Sequence, residues 1–198
     1  MPRDEFTYRF IPVRLRDLDE EKGELLVVSL FDDDCPPTGL TGLVDWRMDG
    51  LLSRIRVMTV RPELDNPHFQ GMAVGPFDAA DGEKLLFPAG RHLPFDMILV
   101  LGLGPQSQFT SQRYRETVTR ILETATAMQV KGMALQLPGW AGAGLPARRA
   151  CDIFVTELLA MSRRKLTVPL NICFVEELEF QAEMDERIIE ILNPHARR

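Results

Sequence analysis

One local pattern occurs twice in the second half of the chain: an apolar segment, a turn that contains glycine, and a segment with helical periodicity. The first occurrence is at residues 96–104, which read DMILVLGLG. The second begins at residues 133–137 and continues through the glycine-rich stretch at residues 139–146. Glycine turns between apolar strands and helices are how α/β proteins build ligand crevices. The pattern therefore predicts an α/β fold with a crevice beside these two turns.

The order of the predicted elements agrees with this fold class. It is β-β-α-β-β-α-β-α-β-α, with strands and helices alternating in the second half. Strands that alternate with helices pair in parallel, and their crossover helices cover the faces of the sheet. We therefore expect a mostly parallel sheet with helices on both faces.

The first half of the chain carries two strand patterns and one helix pattern. Residues 6–15 partly alternate, and residues 24–31 form a near-continuous apolar run, which is typical of a strand covered on both faces. The charged residues 17–23 between them predict a turn. Apolar residues at helical spacing predict a helix over residues 40–56, with Gly50 as a weak point inside it.

The remaining elements follow a proline-containing segment. Residues 57–81 carry three prolines and little periodicity, which predicts a long loop with one short strand near residues 57–60. Thr110 or Ser111 is the expected N-cap of the helix that follows the first glycine turn. Strands are predicted at residues 84–87, 97–101, 133–137 and 170–175, and helices at residues 111–128, 147–161 and 179–192.

Length, charge and cysteine count bound the class of protein. A chain of 198 residues with 45% hydrophobic content can bury a full core, and residues 1–198 are predicted to form one domain. The net charge of −6 disfavours binding to nucleic acid or to an anionic membrane surface. No apolar run approaches the roughly 20 residues of a membrane span. Three widely spaced cysteines form no disulfide framework, so we expect a reducing compartment, the cytoplasm.

The two glycine turns are the candidate ligand sites. In the first turn, backbone amides would approach an anion ahead of the next helix, but a plain strand-to-helix turn is the preferred interpretation. In the second, three glycines would let the backbone form a concave nest of N–H groups that holds a phosphate, and a tryptophan would offer a stacking face. The alternative is a flexible exposed loop. The candidate ligand-binding residues are Gly102, Gly104, Gly139, Trp140, Gly142, Ala143 and Gly144.

Metal-binding and nucleophile motifs do not occur in the sequence. The histidines His68, His92 and His195 have no ligand partner three or four residues away, and neither Cys-x-x-Cys nor His-Glu-x-x-His is present. The acidic residues 32–34 indicate a solvated turn. Cys151 lies at a predicted helix start and is interpreted as a buried structural cysteine. We therefore predict no metal site, no catalytic residue and no cofactor.

Several of these segments together resemble the N-terminal domain of leucyl aminopeptidases of peptidase family M17. They are the strand at residues 24–31, the helix through residues 49–52, the strand at residues 82–86 and the strand ending in Gly-Leu-Gly at residues 98–104. The resemblance covers roughly residues 24–176. It implies a macro-domain-like fold, a three-layer α/β/α sandwich with a mixed, mostly parallel six-stranded sheet. The loop at residues 142–146 is also similar to the phosphate-binding loop of macro domains, where matching amides hold the diphosphate of ADP-ribose.

The sequence departs from both families at their functional residues. In the aminopeptidases all catalytic and metal-binding residues lie in a C-terminal domain, which includes an Asn-Thr-Asp-Ala-Glu-Gly-Arg segment, and this sequence contains no such segment. Peptidase activity is therefore assigned to no residue here. The Asn-Ala-Ala-Asn-like and Gly-Asp-Ile segments that recognise ADP-ribose in macro domains also have no counterpart.

Three hypotheses about function follow. The leading one is a stand-alone, non-catalytic module for protein interaction, oligomerisation or regulation, whose partner is a second copy of itself or a separate aminopeptidase chain. The second is a binding module for a small phosphate-containing ligand, a nucleotide diphosphate or ADP-ribose, between the Gly102 and Gly142 turns. The third is a hydrolase of ADP-ribose derivatives, ranked lowest because no residue stands out as a base.

Overall fold

The computed structural model describes residues 6–34, 36–60, 77–165 and 169–193, with backbone only at residues 56–60 and 163–165. Within these ranges the strands are β1 (Phe6–Ile11), β2 (Gly23–Leu30), β3 (Lys84–Pro88), β4 (Phe95–Gly102), β5 (Gly132–Leu135) and β6 (Leu170–Val175). The helices are α1 (Leu15–Glu20), α2 (Gly39–Arg47), α3 (Leu51–Val60), α4 (Ser111–Ala127), α5 (Ala147–Lys165) and α6 (Leu178–Leu192).

The six strands form one mixed sheet in the order β1-β6-β5-β2-β4-β3. The pairs β1–β6, β5–β6, β2–β5 and β2–β4 are parallel, and only the edge pair β3–β4 is antiparallel. The carboxyl ends of the parallel strands therefore lie at the same edge of the sheet. The predicted fold class, a mixed and mostly parallel six-stranded sheet, is confirmed.

Successive residues of the central strands point into two separate cores. Leu25 and Val27 of β2 belong to a core that also contains buried residues of α4, α5 and α6. Leu26 and Val28 belong to a second core, built with residues of α1, α2 and α3. Side chains alternate across a strand, so a near-continuous apolar run supplies both faces. The three-layer α/β/α arrangement is thus confirmed.

Two predictions for the N-terminal region are wrong. The first strand ends at Ile11 rather than at residue 15, and Pro12 lies in the turn that follows it. Residues 17–23, predicted as a turn, contribute to the short helix α1. Its one fully buried residue, Leu18, packs into the second core, and the charged neighbours stay at the surface. One apolar residue is too weak a periodic signal to reveal a helix of this length.

The helix predicted over residues 40–56 is divided in two, as the weak point at Gly50 indicated. The chain turns at Asp49 and Gly50, which have φ values of 56° and 73°. The Asp45 carboxylate on α2 accepts a hydrogen bond from the backbone amide of Ser53 at 3.0 Å, which supports the start of α3. The strand predicted near residues 57–60 is wrong because α3 continues through Val60. Residues 61–76 of the predicted loop lie outside the described residues.

The elements predicted in the second half are confirmed, with shifts at their ends. The strand predicted at residues 133–137 ends at Leu135, and the helix predicted at residues 147–161 continues to Lys165. At the start of α4 the structure selects Thr110 as the N-cap, since its Oγ1 accepts a hydrogen bond from the Arg113 amide at 3.3 Å.

We expect Thr110→Ala to lower the free energy of unfolding by about 1 kcal/mol, because α4 loses the side-chain acceptor at its first turn. Ser111→Ala, one residue further on, is the matched control and should change stability by less than about 0.5 kcal/mol. Urea denaturation followed by circular dichroism measures both. Equal losses in the two variants would show that the cap does not stabilise the helix.

Candidate functional site

A cavity of about 370 Å³ opens at the carboxyl edge of the sheet. Its walls come from the turns after β2, β4, β5 and β6 and from the first turn of α2; among the lining residues are Phe31, Asp34, Leu103, Gln136, Trp140 and Glu177. This is where open α/β sheets bind ligands, and the volume falls within the range of about 300–1,000 Å³ typical of small-molecule pockets. The sequence-predicted crevice therefore has a counterpart in the structure.

The second glycine loop contributes the longest continuous part of the cavity wall. Gly139, Trp140, Ala141 and Gly142 all line it. The amides of these four residues form no hydrogen bond with another described residue. The loop is closed instead by later amides: Ala143 donates to the Gly139 carbonyl at 3.0 Å and Gly144 donates to that of Ala141 at 3.1 Å.

The placement of the predicted residues in this loop therefore differs between its two halves. Gly139, Trp140 and Gly142 lie at the cavity, whereas Ala143 and Gly144 are not among its lining residues. The amides of Ala143 and Gly144 donate to carbonyls within the loop, and these hydrogen bonds stabilise its conformation. Four consecutive amides without an acceptor among the described residues are a set of donors suited to an anion.

Packing beneath the loop accounts for two of its glycines. Gly139 has a φ of +61°, and a Cβ there would lie 2.7 Å from both Leu103 Cδ1 and Phe31 Cζ. A Cβ on Gly142 would lie 2.9 Å from Phe31 Cε2. The buried Phe31 ring, which meets Phe109 edge-on, therefore lies directly against the loop backbone. Glycine at these positions is needed for close approach, whether or not a ligand binds.

The first glycine turn is engaged by the protein itself. The Gly102 amide donates to the Glu83 carbonyl and the Gly104 amide donates to the Ala79 carbonyl, both at 2.9 Å. A Cβ on Gly102 would lie 2.3 Å from the Ala80 carbonyl oxygen. Neither glycine lines the cavity, although Leu103 between them does. The turn thus packs against residues 79–83 and supplies the cavity with an apolar side chain.

Glu176 is a buried carboxyl group that the sequence analysis missed. Its exposed fraction is 0%, and it accepts hydrogen bonds from the Leu137 amide at 2.6 Å and from the Trp140 indole Nε1 at 3.3 Å. Both donors belong to the glycine loop, so this one side chain fixes the loop from behind. The available signal was a carboxylate directly after an apolar strand, at the sheet edge where the loop also lies.

Burial determines the protonation of this group. Removal from water raises the pKa of the Glu176 carboxyl from its ordinary value of 4.5 to about 8, although hydrogen bonds from Leu137, Trp140 and Gln136 act in the opposite direction. Desolvation penalises the charged form more than these three donors can compensate. Burial therefore moves the titration of this carboxyl from the acidic range toward neutral pH.

The hydrogen bond from its indole Nε1 to Glu176 orients Trp140 toward the protein interior. Its side chain is buried, and its ring meets the Phe180 ring edge-on at a centroid distance of 4.8 Å. The stacking face proposed for a ligand is therefore mostly covered by protein, while part of the residue still borders the cavity. In this structure the indole serves chiefly to connect the loop to Glu176 and α6.

Polar groups on the other walls complete the cavity. The Gln136 Oε1 accepts a hydrogen bond from the Leu40 amide in the first turn of α2 at 3.0 Å. The Gln106 side chain donates from Nε2 to the Gly142 carbonyl, which connects the turn after β4 to the glycine loop. Asp34 and Glu177 contribute carboxylates to the lining. The site thus combines amide donors on one wall with acidic acceptors on others.

Metal and thiol chemistry receive no support from the described residues. Within them, no group of three or more His, Cys, Asp or Glu side chains is placed to hold a metal ion. Cys151 is buried, as predicted, and burial raises the pKa of its thiol to about 12. None of the described helices combines the length and apolar character that crossing a membrane requires.

The fold defines the class of protein. The Oceanobacillus iheyensis macrodomain with ADP matches this chain with a TM-score of 0.69 at 14% identity, covering 96% of this chain and 94% of that one. The Trypanosoma brucei macrodomain in complex with ADP-ribose matches with a TM-score of 0.63 at 16% identity, covering 93% and 68%. Identities this low show the fold alone. The chain therefore has a macrodomain-like fold, as the sequence resemblance implied.

Sequence similarity is to one family in particular. Residues 71–162 match the N-terminal domain of the cytosol aminopeptidase family. A probable cytosol aminopeptidase of Cyanothece sp. is 25% identical over 118 residues, 60% of this chain and 21% of that protein. One of Synechocystis sp. is 25% identical over 117 residues, 59% and 20%. The chain spans about a fifth of the length of these relatives. The predicted resemblance to the N-terminal domain of peptidase family M17 is confirmed.

We expect stability to depend on the protonation of Glu176. Its pKa is higher in the folded than in the unfolded protein, so its stabilising contribution is complete below about pH 4.5 and is lost as pH rises through about 8. The loss is at most about 5 kcal/mol, at about 1.4 kcal/mol per pKa unit. Urea denaturation across this window measures it. Glu176→Gln should be less sensitive to pH there, and an unchanged pH dependence in that variant would contradict the assignment.

Proposed function

We propose that this chain is a module that binds a small ligand carrying a phosphate or diphosphate in the cavity at the carboxyl edge of its sheet. The observation that carries the proposal is the row of residues 139–142, which line the cavity and whose four amides have no acceptor among the described residues. Convergent backbone N–H groups bind anions because their partial positive charges are fixed and cost no ordering when the ligand arrives.

The other lining residues indicate the chemistry of the part of the ligand that is not phosphate. Asp34 and Glu177 carry acceptor oxygens, which suit hydroxyl groups rather than further phosphates. Gln106 and Gln136 also line the cavity, and each uses part of its side-chain amide within the protein. A phosphate bonded to a sugar presents both an anion and hydroxyls. A nucleoside diphosphate or ADP-ribose is therefore the ligand class we propose, and macrodomains solved with ADP and with ADP-ribose share the fold.

The test uses Ala141, an exposed residue in the middle of the amide row. Ala141→Asp places a negative charge where the phosphate would bind, and we expect it to weaken ADP-ribose binding by about tenfold or more. Ala141→Asn has the same shape without the charge and should bind within about threefold of the wild type. Isothermal titration calorimetry measures the dissociation constants of all three proteins.

The pair of variants separates charge from shape at one surface position. Equal binding by the wild type and Ala141→Asp would show that the ligand binds elsewhere. No binding of ADP-ribose or ADP by the wild type would contradict the proposal itself. Thermal unfolding without ligand shows whether each variant is folded before titration. The same measurement with ligand reports binding, since a ligand that binds only the native state raises its apparent stability.

Protein interaction is the second candidate function, and the sequence comparison favours it. The region shared with the aminopeptidases corresponds to their N-terminal domain. The α2 residue Trp46 is 67% exposed, and Leu178 and Ile189 of α6 are also exposed. Large apolar side chains at a surface often mark contacts with a partner. The partner we propose is a second copy of this chain or an aminopeptidase chain, in the cytoplasm.

Sedimentation velocity tests self-association over a range of protein concentrations. We expect the mean mass to rise with concentration, and Trp46→Ser to reduce that rise, since removing an aromatic anchor typically weakens an interface by more than about 1 kcal/mol. Leu86→Ser, on the edge strand β3, is the control, because it also removes a large apolar side chain that is exposed in the structure. A protein that stays monomeric and also retrieves no aminopeptidase in a pull-down would contradict this candidate.

A further inference from the structure

We propose that ionisation of Glu176 regulates the affinity of the cavity for its anionic ligand, with tight binding when this carboxyl is protonated and weaker binding when it is ionised. This inference rests on the proposed function, because it concerns the same cavity. Glu176 is a positioning residue here. It acts through the glycine loop and does not line the cavity itself.

The geometry places this carboxyl directly behind the proposed anion site. Leu137 and Trp140, which donate to its two oxygens at 2.6 Å and 3.3 Å, both line the cavity. The amides of residues 139–142, which have no acceptor in the described part of the chain, lie in the same short loop. A charge on Glu176 would therefore face a bound phosphate across the loop, since the carboxyl is bonded directly to this loop.

The loop connects Glu176 to the ligand site mechanically as well. The Glu176 carboxyl accepts one hydrogen bond from the backbone at the start of the loop, at Leu137, and one from the indole of Trp140 within the loop. The backbone of Glu176 is fixed in turn, because its amide donates to the Ile11 carbonyl at 3.0 Å and its carbonyl accepts from Gln181 Nε2 at 2.8 Å. The side chain is fully buried and bonded directly to the loop, so a charge on it acts on the loop.

Hydrogen-bond donors favour the charged form of Glu176, but no positively charged group among the described residues compensates it. The titratable groups that interact with it are Tyr114 on α4, Cys151 on α5 and Glu177 at the start of α6. Burial raises the pKa values of Tyr114 and Cys151, so both stay neutral as Glu176 titrates. Glu177 is a second acidic side chain and lines the cavity itself. In the described part of the chain, no cation is paired with Glu176.

Two effects compete when Glu176 ionises. A carboxylate accepts stronger hydrogen bonds than a carboxylic acid, which would tighten the loop. The same charge repels an anion on the other side of the loop, in a buried setting where screening by water and salt is weak. The repulsion acts only on the complex, whereas the tightening acts on the free and bound protein alike. The net result is therefore a loss of ligand affinity at higher pH.

Linkage requires the reverse effect as well. If protonation favours ligand binding, ligand binding must favour protonation by the same factor. The protein should therefore take up protons when the ligand binds near the middle of the Glu176 titration. This uptake is measurable on the wild-type protein and needs no substitution.

The experiment is calorimetric titration with ADP-ribose between about pH 6 and about pH 10, a range in which its diphosphate stays fully ionised. We expect the wild-type affinity to fall by about tenfold across this range. At about pH 8, titrations in two buffers of different ionisation enthalpy should show net proton uptake. Glu176→Gln, which is always neutral, should bind with little dependence on pH.

The neighbouring substitution Glu177→Gln is the matched control. It changes an acidic side chain of the cavity lining and leaves Glu176 in place, so its affinity should still fall as pH rises, whatever its overall level. Wild-type binding that is independent of pH and takes up no protons would overturn the regulation and leave the proposed function intact. A wild-type protein that binds no ADP-ribose at any pH would overturn both. Since the buffer comparison uses the wild type, a misfolded variant does not affect the test.

Discussion

The burial of β2 on both faces is the constraint on which the rest of this structure depends. Flanked by β4 and β5 in parallel, it must supply apolar side chains to two cores at once, and residues 24–31 do so without a polar interruption longer than one residue. The helices on each face are then required to cover those side chains. The end of β2 forms part of the cavity wall through Val28 and Ser29, and Phe31 directly after the strand continues it. Core and candidate site thus share one strand.

The α/β fold could be predicted because its signals are long and redundant. The apolar runs of β2, β4 and β6 and the amphipathic pattern of α4 each extend over several residues that agree with one another. The short helix α1 could not be predicted, because it is held by one buried leucine, Leu18, whose partner residues come from distant parts of the chain. Local patterns report periodicity, whereas Leu18 is defined by tertiary contact.

The candidate site was predictable only in outline. The glycines at residues 139–144 indicated where a loop must bend, and the parallel strands indicated at which edge it lies. The position directly after an apolar strand is a signal that points to Glu176, but it does not predict that Glu176 is buried behind the loop while its exposed neighbour Glu177 borders the cavity. That difference arises from how α6 begins against the glycine loop. It is a property of the packed structure and not of the residue type or its position in a motif.

The two glycine turns have different consequences for how this sequence can vary in evolution. At position 102 any side chain would meet the Ala80 carbonyl oxygen, so the packing of residues 79–83 alone should keep glycine there. At position 144 a Cβ would meet nothing within 4 Å, and only the positive φ of 67° restricts the choice, which asparagine or aspartate can also satisfy. An invariant glycine at position 102 in a future set of homologues would therefore record a packing requirement and carry no information about a ligand.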